Sequence, residues 1–214
     1  ARVDAPNVAS IVFAEEEVAF LVGALAGLKT RNGVLGFIGG LEIPAIVRFR
    51  EGFRQGAAYA RPGVAVLVDQ IADRQTAFSD PFAGWRLAHG QLDAGADVIF
   101  AAAGASGLGA HVAAGERGAF AIGVDDNQNY LHPGVMLTSA IKRIDRAVAL
   151  SISRAADGEW RGGQLRLGLA DGGVDYVIDR HNIGLIDAST KAAVEDARAG
   201  IIDGAIAIAP IETD

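Results

Sequence analysis

Short β-branched runs alternate with amphipathic stretches up to Asp125, and that alternation restricts the chain to a parallel sheet covered by helices on both faces. The runs VASIVF (Val8–Phe13), GVLGFIGG (Gly33–Gly40), GVAVLVD (Gly63–Asp69), DVIFAAAG (Asp97–Gly104) and FAIGVD (Phe120–Asp125) read as strands. Their near-continuous apolar character fits burial on both sides. Between them, EEEVAFLVGALAGL sets Val18, Leu21, Leu25 and Leu28 on one helical face. IPAIVRFREGFRQGAAYA and DPFAGWRLAHGQLDAG read as two more helices, with Pro81 suited to the first turn of the second.

Beyond Asp125 the rhythm changes. GVMLTSAIKRIDRAVALSISRA reads as a strand and a long helix with Ile141, Ile144, Val148 and Ile152 on one face. That reading puts Lys142 in the first turn of the helix. GQLRLGL and VDYVI read as two short strands joined by the turn ADGG, and the tail DASTKAAVEDARAGIIDGAIAI as a helix and a final strand.

Charge and composition exclude several functions. A net charge of -7, three lysines and scattered arginines leave no basic surface for nucleic acid. With no cysteine there is no disulfide, thiolate metal site or cysteine nucleophile, and the four histidines lie too far apart for a local metal motif. No cofactor is expected.

The stretch GASGLGA, with Gly104, Gly107 and Gly109, imitates a dinucleotide-binding glycine loop. It follows a late strand, however, and no Tyr-x-x-x-Lys pair accompanies it, so an NAD(P)-dependent reductase is the weakest reading. Glycines recur at the end of GFIGG. Together with GVDDNQ they place Gly39, Gly40, Gly104, Gly107, Asp125 and Asp126 along one rim at the C-terminal ends of the strands, where open α/β sheets bind ligands. Backbone N–H groups and carboxylates there suit a hydroxyl-rich, uncharged ligand, whereas a phosphate would be repelled.

PNVASIVFAEEEVAFLVG, GVLGFIGGLEIPAIVRFREGFRQGA, DAGADVIFAAAGASGLGAHVAA, IGVDDNQ and LTSAIKRIDRAV together resemble the basic membrane protein family, the nucleoside-binding lipoproteins of bacterial ABC importers. The resemblance runs from Pro6 to Ile208. It implies a type I periplasmic-binding-protein fold: two α/β lobes, a hinge and a ligand trapped in the cleft between them. It also implies a lipid-anchored protein in the periplasm or on the outer face of the cytoplasmic membrane. Such a protein delivers a nucleoside such as inosine, guanosine or adenosine to an ABC permease and does no chemistry itself. Residues 31–136 would form a near-complete C-terminal lobe, with 1–30 and 137–214 supplying the remaining N-terminal-lobe, hinge and C-terminal segments.

Carried over by motif, Glu17 holds the acid of F-x-x-x-E-x-x-F-L-x-G, where a carboxylate accepts hydrogen bonds from a purine. Its alternative role is that of a helix-start acid beside Glu15 and Glu16, favoured by the macrodipole. Asp125 matches the aspartate of GVD, placed to accept from both ribose hydroxyls or else to cap the following turn. Lys142, as a cation opposing the macrodipole, calls for either a ribose oxygen or an ion pair with Asp145. His111 stands where the family's glycine loop continues into an aromatic; it would stack on a base or point to solvent.

Family members carry a further stretch before PNVAS that makes up most of the N-terminal lobe, so the chain is expected to be a fragment, or else a natural short paralogue, and to bind nucleosides poorly alone. The other reading is the ligand-sensing effector domain of a regulator, which the same fold serves.

Overall fold

The computed structural model describes residues 5–71 and 74–211. The elements follow in the order β1 (Ala9–Phe13), α1 (Glu15–Lys29), β2 (Val34–Gly39), α2 (Pro44–Ala60), β3 (Ala65–Gln70), α3 (Pro81–Asp93), β4 (Val98–Ala102) and α4 (Ser106–Glu116). After these come β5 (Phe120–Asp125), β6 (Met136–Lys142), α5 (Ile144–Ala156), β7 (Gly163–Leu167), β8 (Val174–Tyr176) and α6 (Ala188–Ile202). Six strands form one sheet in the order β3-β2-β4-β5-β6-β8; β1 and β7 pair in a separate two-stranded sheet. Every pairing is parallel except β6 with β8.

Both faces of the large sheet are covered, as the apolar runs require. Leu35, Phe37, Val98 and Phe100 face α1, α2 and α6. Ile38, Ile99 and Ala101 face α3 and α4, where alanine dominates and the helices come close. Helix α1 is buried along most of its length, so its residues are apolar nearly all round rather than on one stripe. It meets α2 at a crossing that only glycine permits: a Cβ on Gly56 would lie 1.9 Å from the Phe20 carbonyl oxygen.

The chain passes between the two sheets at three places. Ala14 separates β1 from α1, Arg143 separates β6 from α5, and residues 168–173 separate β7 from β8. These passages are stitched together, since the Ala14 N–H donates to the Leu167 carbonyl at 2.9 Å and the Arg143 N–H to Gly173 at 2.8 Å.

Two expectations are corrected. Lys142 is the last residue of β6 rather than part of a helix. It is paired in register with Val174 of β8, so the sheet claims its backbone before α5 begins. The strands β7 and β8 form on either side of the turn ADGG as read, without pairing with each other. Asp171 turns the chain back by accepting from the Gly168 N–H at 3.1 Å, and the two strands enter different sheets. The tail after α6 forms no strand among the described residues. Its Ala209 instead exchanges hydrogen bonds with the Gln55 side chain, at 2.7 and 3.4 Å, while Ile206 and Ile208 pack on the core. The large sheet also reaches beyond residues 31–136, taking in β6 and β8 and packing against α1 and α6.

Candidate functional site

Parallel strands that end at a common rim put the residues following them side by side. Asp125 closes β5 and is opposite Ile141 in register, one residue before Lys142. The Lys142 Nζ lies 2.8 Å from Asp125 Oδ1 and 3.7 Å from Glu15 Oε1, and 5.3 Å from the centre of the Phe49 ring. Asp125 is the one non-glycine residue with a left-handed backbone among those described, at φ 68°. The Asp126 N–H donates back across it to the Val124 carbonyl at 2.8 Å, which closes a tight γ-type turn. Such a conformation costs on the order of 1–3 kcal/mol in a non-glycine residue and is characteristic of functional positions. The Asp125 side chain remains 52% exposed.

Glu15 completes the cluster from the start of α1. Its side chain is only 5% exposed, and its Oε2 accepts from Arg48 Nε at 2.7 Å. From there a line of alternating charges continues along the rim: Arg48 is 3.8 Å from Glu16, Glu16 pairs with Arg166, and Arg166 reaches Glu17 at 3.4 Å. Glu17 turns toward the β7–β8 passage, where Oε2 accepts from the Leu169 N–H at 2.7 Å. Asp125 and Lys142 thus converge directly, whereas Glu17 joins them only through this chain of ion pairs. Beside it lies a groove of about 330 Å³, with Glu16, Glu17, Arg48 and Arg166 on one lip and Ile206 and Ile208 on the other.

The remaining predicted residues are placed differently. Gly40 donates its N–H to Ala102 and Gly107 donates to Gly104, so neither offers that group to a ligand. Instead, the missing side chains at Gly40 and Gly104 make room for Phe78, whose ring atom Cε1 lies 2.2 Å from where a Gly40 Cβ would stand. Gly39 packs against Ile46. Asp126 is exposed and accepts from the Asn127 N–H at 2.7 Å. His111 is enclosed at 1% exposure, not open to solvent or to a rim. Burial first, and the neighbouring His132 second, hold its pKa down at about 4. Neither ring nitrogen has a partner at hydrogen-bonding geometry.

Glu15, Arg48 and Phe78 were not legible as site residues. Glu15 reads as one of three helix-start acids, Arg48 as a charge on an amphipathic helix, and Phe78 as a loop aromatic. The nearest signal was Asp-Pro at Asp80–Pro81, which fixes the helix start directly after Phe78.

The model of a family described as "ABC transporter substrate-binding protein PnrA-like" matches residues 1–205. Basic membrane protein D of Borreliella burgdorferi is 35% identical over 179 residues, covering 82% of this chain and 51% of the relative. A CD4+ T-cell-stimulating antigen of Listeria monocytogenes is 32% identical, covering 96% and 60% respectively. The chain therefore spans about half the length of the curated relatives it matches. Among solved structures, an ABC transporter solute-binding protein from Aeropyrum pernix superposes with a TM-score of 0.83 at 28% identity, over 97% of this chain and 68% of that one. An activator of the comK gene from Bacillus halodurans superposes at 0.86 with 21% identity, over 96% and 69%, a likeness of fold alone. The architecture is that of a type I periplasmic-binding protein, and the family is one of solute-binding proteins, not enzymes. By the match of nearly its whole length, this chain belongs to the PnrA-like family of ABC transporter substrate-binding proteins.

Proposed function

We propose that the chain is the ligand-capturing part of an extracytoplasmic solute-binding protein, lipid-anchored in its full-length form, that passes a nucleoside to an ABC permease. The large sheet with its helices supplies one wall of the cleft; the β1–β7 sheet with α5 belongs to the other lobe. The observation that carries the reading is the Asp125–Lys142 pair, 2.8 Å apart on neighbouring strand ends. A carboxylate can accept from two vicinal hydroxyls at once, and an ammonium has three donors for ribose oxygens. Because the two charges largely cancel, the site favours a neutral polyol over an anion.

The exposed face of Asp125 and its strained turn fit a residue held in place for a ligand rather than for packing. Isothermal titration of the full-length protein with inosine, guanosine and uridine tests the proposal. The expected result is tight binding of at least one nucleoside, lost on Asp125→Ala. Binding that is unaffected by Asp125→Ala would rule the site out.

A further inference from the structure

On the β4 side, the pairing of β5 ends at Ile122. Past that point the Val124 N–H donates to Gln128 Oε1 at 3.0 Å, so the Gln128 side chain reaches back over the turn at Asp125 to the strand. The Gln128 N–H in turn donates to Ser139 Oγ at 3.0 Å, and the Ser139 hydroxyl donates to Asn129 Oδ1 at 2.8 Å. Asp125 and Asp126 are thus closed into a loop pinned at Val124 on one side and at Ser139 on the other. Ser139 is fully buried and lies opposite Gly123 in register, on the same strand as Lys142. A Cβ on Gly123 would stand 2.6 Å from Ser139 Oγ and 2.8 Å from Gln128 Oε1, so this close approach depends on the glycine.

We propose that Ser139 is a positioning residue for ligand capture: through Gln128 it holds Asp125 in its left-handed turn, with the carboxylate against Lys142 and open to the vicinal hydroxyls of the ligand's ribose. The inference rests on the nucleoside reading above. One strand, β6, then carries both the ammonium for the ribose and the hydroxyl that fastens its acidic partner, so the two charges share one frame. The strain at Asp125 gives the fastening its purpose. A left-handed aspartate in a free loop would relax to a commoner backbone conformation. Relaxation swings the carboxylate off the ribose, and each binding event then has to restore it at a cost in affinity. Being fully buried, Ser139 acts on the ligand only through that turn.

The test is isothermal titration of the full-length protein with inosine and with dideoxyinosine, which lacks both vicinal ribose hydroxyls, in the wild type, Ser139→Ala and Gln128→Met. The wild type is expected to prefer inosine. Positioning predicts that each variant loses roughly ten- to hundredfold in inosine affinity. Dideoxyinosine, which offers Asp125 nothing to accept from, is expected to keep its affinity within about twofold. Gln128 is partly open to solvent, so Gln128→Met removes the acceptor for the Val124 N–H and still folds should Ser139→Ala not. Equal losses for the two ligands would show that the network only supports the fold, and would overturn the proposal. Inosine affinity retained in both variants would overturn it while leaving the nucleoside reading standing. A wild type that binds no nucleoside would remove the nucleoside reading itself, and this proposal with it.

Discussion

Arg48 Nε donates to Glu15 Oε2 across 2.7 Å, and the glutamate that accepts is almost wholly buried. Glu15 also stands 3.7 Å from Lys142, so one carboxylate balances two cations from different elements, α2 and β6. Removing it leaves Arg48 with Glu16 alone, 3.8 Å away, and Lys142 with Asp125 alone, and opens a gap in a poorly solvated place. Glu15→Ala is therefore expected to cost about 2–3 kcal/mol, toward the low end for a buried pair because Arg48 is partly open to water. Thermal unfolding should show a melting temperature lowered by roughly 4–12 °C for a chain of this size. An unchanged melting temperature would mean that the pair contributes nothing to the fold.

His111 predicts acid sensitivity. Its pKa is about 4 in the fold against about 6.5 in an unfolded chain, so the unfolded state binds the extra proton first. The stabilisation from holding the ring neutral is fully present above about pH 6.5 and is lost progressively as the pH falls toward 4. The full effect is on the order of 3 kcal/mol. Urea unfolding at a series of pH values should show this slope, and His111→Leu should flatten it; an equal slope in the variant would assign the loss to other groups.

Gly56 and Gly90 should respond in opposite directions to the same substitution. Gly56→Ala drives a methyl group into the Phe20 carbonyl and must push α1 from α2, at a cost of about 1–3 kcal/mol or more. Gly90 in α3 has nothing within 4 Å of an added Cβ, so Gly90→Ala is expected to stabilise by about 0.5–1 kcal/mol through helix propensity. Chemical denaturation of the pair checks both signs in one experiment.

Asp125 sets backbone strain against binding. Asp125→Gly relieves the left-handed conformation and also removes the partner of Lys142. The expected outcome is a stability equal to or above that of the wild type, with nucleoside affinity lost. A clear drop in melting temperature would show that the ion pair outweighs the strain.

Strands β1 to β5 and the helices between them were legible because each is a continuous apolar run or a recognisable helical face. Strand β8 was legible within the run VDYVI, but its place in the sheet was not. Its three residues, Val174–Tyr176, are too few to show a period, and their antiparallel place beside β6 is decided by packing. The assignment of Lys142 to a helix failed for a related reason: β-branched and helical residues are contiguous there, and only the pairing with Val174 marks the boundary. Of the three consecutive acids, each is turned about 100° from the next around the helix, so their sequence alone does not say which one faces the rim. Glu17 fitted the motif, but in the fold Glu15 is the one beside Lys142, and Glu17 holds the backbone of Leu169. Asp125 was legible because it ends an apolar run, and strand ends are where such sheets carry their ligands.

The three stitched connectors at Ala14, Arg143 and residues 168–173 bear on how such a molecule moves. A body tethered to another by a single strand can swivel about it, whereas three tethers side by side leave mainly one way to flex, a bend across their common line. Any opening and shutting of the two sheets against each other is thus a door's motion and not a ball-joint's. Glu15, Glu17 and Lys142, rooted beside those tethers, ride near its axis, where atoms travel least.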